Sequence, residues 1–370
     1  MADRMTNKQV IDIASRFRLS GEVMAIKKCE IGHINRTYVI TCKNGKTNKR
    51  YVMQMINTNV FKKPDEVMET IVNVTGYIRE NLLAEGIDPS RRTLNVIFTK
   101  DGNWGYLDND GKYWRFYDYI EDSDNYNQVE SCEMFEKVGY AFGHFQMQLK
   151  DFDASKLHET IPNFHNTEWR FDNLLTAMVE NKAGRAQSVF EELKFAIDRR
   201  SITTFVNRGI ADGTLTLRVT HNDTKLNNIM IDHETGEGIC VIDLDTVMPG
   251  SVLADFGDSI RFGASSAAED ETDLDKVYCR LDMFEAFAKG FIEGLEGSLS
   301  ESEIRALPMG ALILTYETGI RFLSDYLDGD TYFRTEYPEH NLDRARNQFK
   351  LVADMESKMA QMNAIVEKYI

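Results

Sequence analysis

An aspartate, a lysine two residues on and an asparagine five residues on stand in Thr220-His221-Asn222-Asp223-Thr224-Lys225-Leu226-Asn227-Asn228, and a further aspartate, Asp243, follows twenty residues after the first. Between them, Ile229-Met230-Ile231, a turn over His233–Gly238 and Ile239-Cys240-Val241-Ile242 read as a short β-hairpin. Such a ribbon brings one base and two oxygen ligands to a single mouth. Magnesium prefers oxygen ligands of this kind, together with substrate phosphates and retained waters. The chemistry that these residue types support is transfer of a phosphoryl group from Mg-ATP to a hydroxyl: Asp223 as base, Asn228 and Asp243 on the metal, and Lys225 as a point charge against the moving phosphate. His221 reads as a structural hydrogen-bonding residue, and Asp245 as a stabiliser of its loop.

Asp and Asn are also the ordinary residues of turns, so either one alone would mean little. The set carries the argument because His221, Asp223 and Asn228 keep the H-x-D-x-x-x-x-N spacing of a kinase catalytic loop without a gap, and Asp243 closes the following hairpin. A decoy lies further on. Asp255-Phe256-Gly257 spells D-F-G, but it begins 32 residues after Asp223 and follows Pro249-Gly250. It reads as a helix start, with Asp255 or Asp258 bonding backbone amides near the catalytic loop.

Two kinds of texture surround this hairpin. The first 120 residues read mostly as strands: Cys29–Thr41, then Asn44-Gly45 as a turn, then Tyr51–Ile56, and three further strands ending in Tyr113–Ile120. One helix interrupts them from about Pro64 to Leu83, with Val67, Ile71, Val74 and Ile78 spaced to share a face. Pro64 suits the first helical turn. After Glu121–Asn127 helical periodicity dominates, over about 131–150, 168–198, 274–294, 302–327 and 341–369. The expected architecture is therefore α+β and two-lobed: residues 1–122 as a small antiparallel-sheet lobe with one helix, and residues 123–370 as a larger, mainly helical lobe.

Bulk properties limit the alternatives. With 370 residues, two coupled lobes are the prior. Lys and Arg number 43 against 59 Asp and Glu, a formal charge of −16 that disfavours a general nucleic-acid grip. The five cysteines are scattered and never form C-x-x-C, so neither a disulfide framework nor a zinc site is indicated. No stretch has the length and apolarity of a membrane span. A cytoplasmic protein without membrane or nucleic-acid partners is expected, as a monomer or weak homodimer.

With these motifs placed, the chain resembles the aminoglycoside-phosphotransferase and choline-kinase-like branch of the protein-kinase fold. Within it, Gly32-His33-Ile34-Asn35, Tyr51–Asn57, Val219–Ile229, Ile242–Thr246, Met248-Pro249-Gly250, Asp255–Ala264, Arg321-Phe322-Leu323 and Tyr337–Asn341 are similar to the members that phosphorylate N-acetylhexosamines on the anomeric hydroxyl. The resemblance implies Arg321 and Tyr332 as substrate contacts, with His33 and Asn35 as further ones. Arg321 could instead approach the transferred phosphate. Adenine is expected between the lobes, beside the backbone of Tyr117 and Tyr119.

The chain departs from the wider kinase pattern in two places. Gln54 stands where a typical kinase carries the strand lysine that pairs with the α/β-phosphates, so nucleotide anchoring falls to metal, Gln54 and backbone. Gly32 is a lone glycine rather than G-x-G-x-x-G, a phosphate loop or simply a tight turn. Two alternatives stay open: a kinase of the same superfamily acting on another sugar, an amino alcohol or an aminoglycoside, and a catalytically dead nucleotide-binding protein, suggested by the missing lysine.

Overall fold

The computed structural model describes residues 5–29 and 35–370. Gly32 and His33 lie outside the described residues. The first helix, α1 (Asn7–Ala14), is closed at its N-terminus by a capping box in which Thr6 and Gln9 satisfy each other's backbone amides. An antiparallel sheet follows, built from β1 (Glu22–Lys28), β2 (Arg36–Asn44), β3 (Thr47–Ile56), β4 (Val96–Ile97), β5 (Tyr106–Leu107) and β6 (Tyr113–Asp118). The strand order is β1-β2-β3-β6-β4, with β5 on β6. Inserted after β3 is α2 (Pro64–Ala84), with Pro64 in its first turn and Val67, Ile71, Val74 and Ile78 all buried, as their spacing predicts. The earlier helix α1 adds an element to the expected small lobe; its Val10 and Ile13 pack with Tyr38, Ile40, Met53, Trp114 and Phe116 from one sheet face.

Strand parity decides what the opposite face presents. Successive side chains alternate between faces, so with Trp114 and Phe116 against α1, Tyr113, Arg115 and Tyr117 point the other way. Gln54 lies directly opposite Arg115 in the β3–β6 register, and Thr37 opposite Gln54 in β2–β3.

After β6, β7 (Ser123–Asp124) pairs with β9 (Ile229–Asp232), which forms the expected hairpin with β10 (Gly238–Val241). The helices of the larger lobe are α3 (Cys132–Gln148), α4 (Thr167–Glu180), α5 (Phe190–Asp198), α6 (Phe205–Asp212), α7 (Val252–Gly263), α8 (Leu281–Gly294), α9 (Glu301–Asp328) and α10 (His340–Val366). Sequence periodicity ran 168–198 together as one helix. The structure breaks it after Glu180, where Asn181 and Gly184 take positive φ of 43° and 71° and end the helical path. Helix α8 likewise starts only at Leu281, after a 3-10 turn over Leu274–Lys276. Two strands had no counterpart in the sequence reading: β8 (Leu217–Thr220) and β11 (Met248–Ser251), which pair antiparallel on either side of the hairpin segment.

The seam between α3 and α8 is drawn tight by glycines. A Cβ on Gly290 would stand 1.9 Å from the Glu136 carbonyl oxygen, and one on Gly143 2.3 Å from that of Phe291. Backbone is in contact with backbone, so a methyl group there has no flexible side chain to displace. Gly290→Ala should cost about 3 kcal/mol of stability, read from the urea midpoint; a loss below about 0.5 kcal/mol would show that the helices can part.

Candidate active site

Both mouths of the β9–β10 hairpin are knitted together by backbone. His221 Nε2 donates to the Ile242 carbonyl at 2.9 Å, Ile242 N donates to the Asn228 carbonyl at 2.8 Å, and Thr246 Oγ1 donates to the His221 carbonyl at 2.8 Å. Because Asp223 N donates to Nδ1 of His221 at 3.2 Å, the ring proton sits on Nε2. His221 is fully buried and acts on the backbone rather than on a ligand. Two non-glycine residues hold left-handed backbone here, Asn222 at φ 64° and Asp243 at φ 58°. Conformations of this kind persist where surroundings over-determine them, commonly at functional sites. Asn222 is held on all sides: its amide proton goes to Asp255 Oδ1 at 2.7 Å, its Nδ2 donates to the carbonyls of Thr246 and Thr220, and its own carbonyl faces His165 Nε2 at 3.0 Å.

Asp255 therefore has the backbone task expected of it. It sits in the first turn of α7 and also accepts from His221 N at 2.9 Å and from Gln146 of α3 at 2.6 Å.

Around Asp223 the groups converge. Lys225 Nζ lies 2.7 Å from its Oδ1, and Asn228 Nδ2 donates to its Oδ2 at 3.1 Å and to its carbonyl at 2.8 Å. The enclosing walls disfavour charge on Asp223, yet the Lys225 ammonium and then the Asn228 bond outweigh them and keep its carboxyl below the usual range. Lys225 is raised in turn, first by Asp223. Asp243 behaves oppositely: the walls, then the charges of Asp245 and Asp223, push it up to about 7. Two carboxylates with environments driving their pKa values apart take different tasks. Asp223 is thus held toward its ionised form, and Asp243 toward its protonated one.

The residues fit a hard cation. Lys225 answers Asp223 and Arg115 answers Asp245, which leaves Asp243 without a cationic partner among the described residues. The hydrogen bonds of the Asn228 side chain use its NH2 group, freeing Oδ1 as a ligand oxygen. No group of three or more His, Cys, Asp or Glu side chains placed for a metal occurs among the described residues. A magnesium ion held by Asn228 and Asp243 would thus take its remaining oxygens from nucleotide phosphate and water.

The other expected contacts fall in different places. The Asn35 side chain is engaged at both ends, accepting from Asn57 N at 3.0 Å and donating to Asp245 at 2.6 Å. Gln54 donates to Thr37 Oγ1 at 3.1 Å and accepts from Arg115 Nε at 3.0 Å. Tyr117 is buried, and Tyr119 lies under Arg50, whose carbonyl takes the Tyr119 amide proton at 3.2 Å. Arg321, near the end of α9, rests over the rings of Phe164 and Phe333, at 5.4 and 5.6 Å. Tyr332 is exposed, on a loop whose amides are gripped by the buried carboxylate of Asp325.

Sequence reasoning missed the wall that joins Arg321 to the catalytic loop. Glu317, one turn before Arg321, is fully buried and bonds His165 Nδ1 at 2.8 Å and Thr167 Oγ1 at 2.6 Å. Both His165 nitrogens face acceptors, Glu317 and the Asn222 carbonyl. Burial opposes charge on that ring, but Glu317 raises its pKa overall. Beside it, Arg170 donates only to the Phe164 carbonyl among the described residues, and burial together with the neighbouring Arg321 charge pulls its pKa down to about 10. Nothing in the sequence marks 164–170, since neither spacing nor composition ties these residues to α9.

The profile of the phosphotransferase enzyme family matches residues 25–288. The chain belongs to that family. Solved structures similar to this phosphotransferase include an aminoglycoside phosphotransferase from Alicyclobacillus acidocaldarius (TM-score 0.60, 11% identity, covering 100% of this chain and 98% of that one). A choline kinase from Cryptosporidium parvum Iowa II matches with TM-score 0.60 and 13% identity over 97% of this chain and 98% of its own. A spectinomycin phosphotransferase solved with ADP and spectinomycin matches with TM-score 0.56 and 12% identity over 97% and 100%. At these identities the likeness is one of fold: a protein-kinase-like antiparallel-sheet lobe on a helical lobe. No helix among the described residues of this phosphotransferase is long and apolar enough to cross a membrane.

Proposed function

We propose that the protein is an ATP-dependent N-acetylhexosamine 1-kinase, transferring the terminal phosphoryl group of ATP to the anomeric hydroxyl of N-acetylglucosamine or N-acetylgalactosamine. The observation that carries the phosphoryl-transfer part is the pairing of an ionised Asp223 with an uncompensated Asp243 at one hairpin mouth. Asp223 takes the proton of the sugar hydroxyl as its oxygen attacks the terminal phosphorus; the bond from that phosphorus to the bridging oxygen breaks and ADP leaves. Lys225 lies beside the path of the moving charge. Bound magnesium supplies neutralisation of phosphate charge, and Asn228 and Asp243 would hold it. The ADP bound by one similar structure supports a nucleotide in the cleft.

The acceptor class is read from the wall beside the catalytic loop. Glu317, the carboxylate of that wall, is hydrogen-bonded to His165 and Thr167, whereas Arg170 and Arg321 form no salt bridge to a carboxylate among the described residues and feel Glu317 only through its charge. A cationic acceptor such as an amino alcohol or aminoglycoside would be repelled, whereas a neutral sugar with an acyl carbonyl offers oxygens to both guanidiniums. The resemblance of Arg321 and Tyr332 to sugar-contacting positions supports the same reading, whereas both polar groups of the Asn35 side chain are engaged by Asn57 and Asp245. The test is an acceptor panel with Mg-ATP, scored by ADP release and by phosphorus NMR of the product. N-acetylhexosamines should release ADP and yield a phosphorus coupled to the anomeric proton; release only with choline or an aminoglycoside would replace this acceptor assignment.

A further inference from the structure

Protein kinases carry a cation on the strand that Gln54 occupies here and pair it with an acid of the following helix. In this chain the helix acids are engaged elsewhere: Asp65 with the Tyr113 hydroxyl at 2.7 Å, Glu66 with Lys63 at 2.9 Å, Glu69 with His158 at 2.8 Å. What α2 offers toward the strand is Met68, with Sδ 4.0 Å from Arg115 Nη1. The cation itself has moved one strand over. Arg115 lies on β6 directly opposite Gln54, and its guanidinium, 1% exposed, sits against the Gln54 amide. Its counter-ion comes from the other lobe: Nη1 and Nη2 grip Asp245 in a two-pronged pair, Nη2 at 3.0 Å. Asn35 adds a third donor to the same carboxylate, at 2.6 Å.

We infer that Arg115 is a positioning residue that takes over the office of the absent strand lysine, acting through Asp245 on the turn that carries Asp243 instead of touching phosphate itself. Thr37, Gln54 and Arg115 form a row across β2, β3 and β6, and this row ends on Asp245, two residues past Asp243. The Asp245 carbonyl is fixed from the other side by Thr160 Oγ1 at 2.9 Å. The strut does two things: it holds the left-handed turn at Asp243 against the small lobe, and it cancels one of three neighbouring carboxylates. Groups that orient a ligand from behind in this way commonly change metal affinity by about 10- to 100-fold when removed.

The inference rests on the reading of Asp243 as a magnesium ligand, and the experiment separates the two. Binding of ADP with magnesium to the full chain is measured by calorimetry, alongside melting temperature and the KM values for ATP and acceptor. Since leaving one buried partner unpaired endangers folding, the main variant is the apolar pair Arg115→Met with Asp245→Leu, which such sites tolerate well. It should fold, bind Mg-ADP about 10- to 100-fold more weakly and raise the KM for ATP in step, with acceptor KM unchanged. Arg115→Gln should show the same loss, and adding Gln54→Lys to it should restore most of the affinity by returning the cation to the neighbouring strand. A folded apolar pair with parental Mg-ADP affinity overturns the inference, as does a relocated lysine that improves nothing. Failure of the parent chain to bind Mg-ADP would instead remove the metal reading beneath it.

Discussion

Asp223→Asn should lower turnover by between about 10²- and 10⁴-fold, the range that a positioned general base contributes, while Mg-ADP still binds. The substitution keeps shape and leaves an oxygen for Lys225, whose Nζ is 2.7 Å from Oδ1 in the parent. What vanishes is the capacity to accept a proton from the attacking hydroxyl. The second carboxyl oxygen becomes an NH2 facing the Asn228 NH2, which donates to Oδ2 at 3.1 Å in the parent. A modest change in metal affinity should therefore accompany the kinetic loss. Calorimetry with Mg-ADP and steady-state rates with N-acetylglucosamine separate the two effects. Near-parental turnover would take Asp223 out of the chemistry.

Asp243→Asn should be the other severe variant, losing about 10²- to 10³-fold in turnover, a few kcal/mol of transition-state stabilisation. Asparagine is chosen because it tolerates the φ of 58° at this position, so charge is removed without adding strain. The effect should have a pH signature as well. Folding raises the pKa of Asp243 from the ordinary carboxylate value near 4 to about 7, because of the enclosing walls and the nearby Asp245 and Asp223. A raised acid binds its proton more tightly when folded, so its contribution to stability is full below the unfolded value and is lost as pH climbs through about 7. Without magnesium, melting temperature should decline across that window; added magnesium should lift it more at pH 8 than at pH 5. In Asp243→Asn both slopes should flatten. An unchanged magnesium response in the variant would place the metal elsewhere.

The hairpin at the site was legible from the chain because each of its parts has a local signal. Alternating β-branched residues, a six-residue polar turn and motif spacing all act within some 25 residues. Helix α2 was equally plain, since one apolar face and a starting proline suffice. The strands β8 and β11 escaped because Pro249-Gly250 reads as a break, although Pro249 is in fact ladder-paired with Val219. The interruption after Glu180 escaped because Asn181 looks like any polar surface residue until its left-handed backbone is seen. The deeper omissions are relations across lobes. Arg115 reads as one polar residue in an aromatic strand, and only register places it against Gln54. His165 and Glu317 stand 152 residues apart, and no periodicity connects them. The resemblance to a known family named Arg321 and Tyr332, but not Phe164, Phe333 and Asp325, on which they rest.

The misplaced D-F-G triplet carries one more consequence. In protein kinases the phenylalanine of that motif swings between two pockets and so toggles the enzyme. Here Phe256 is fully buried among Phe284, Phe287 and Phe291, while its neighbour Asp255 grips the amides that shape the catalytic loop. Swinging this ring outward would forfeit its packing against all three rings. A compound built to trap a flipped phenylalanine would have to break that four-ring cluster to find room.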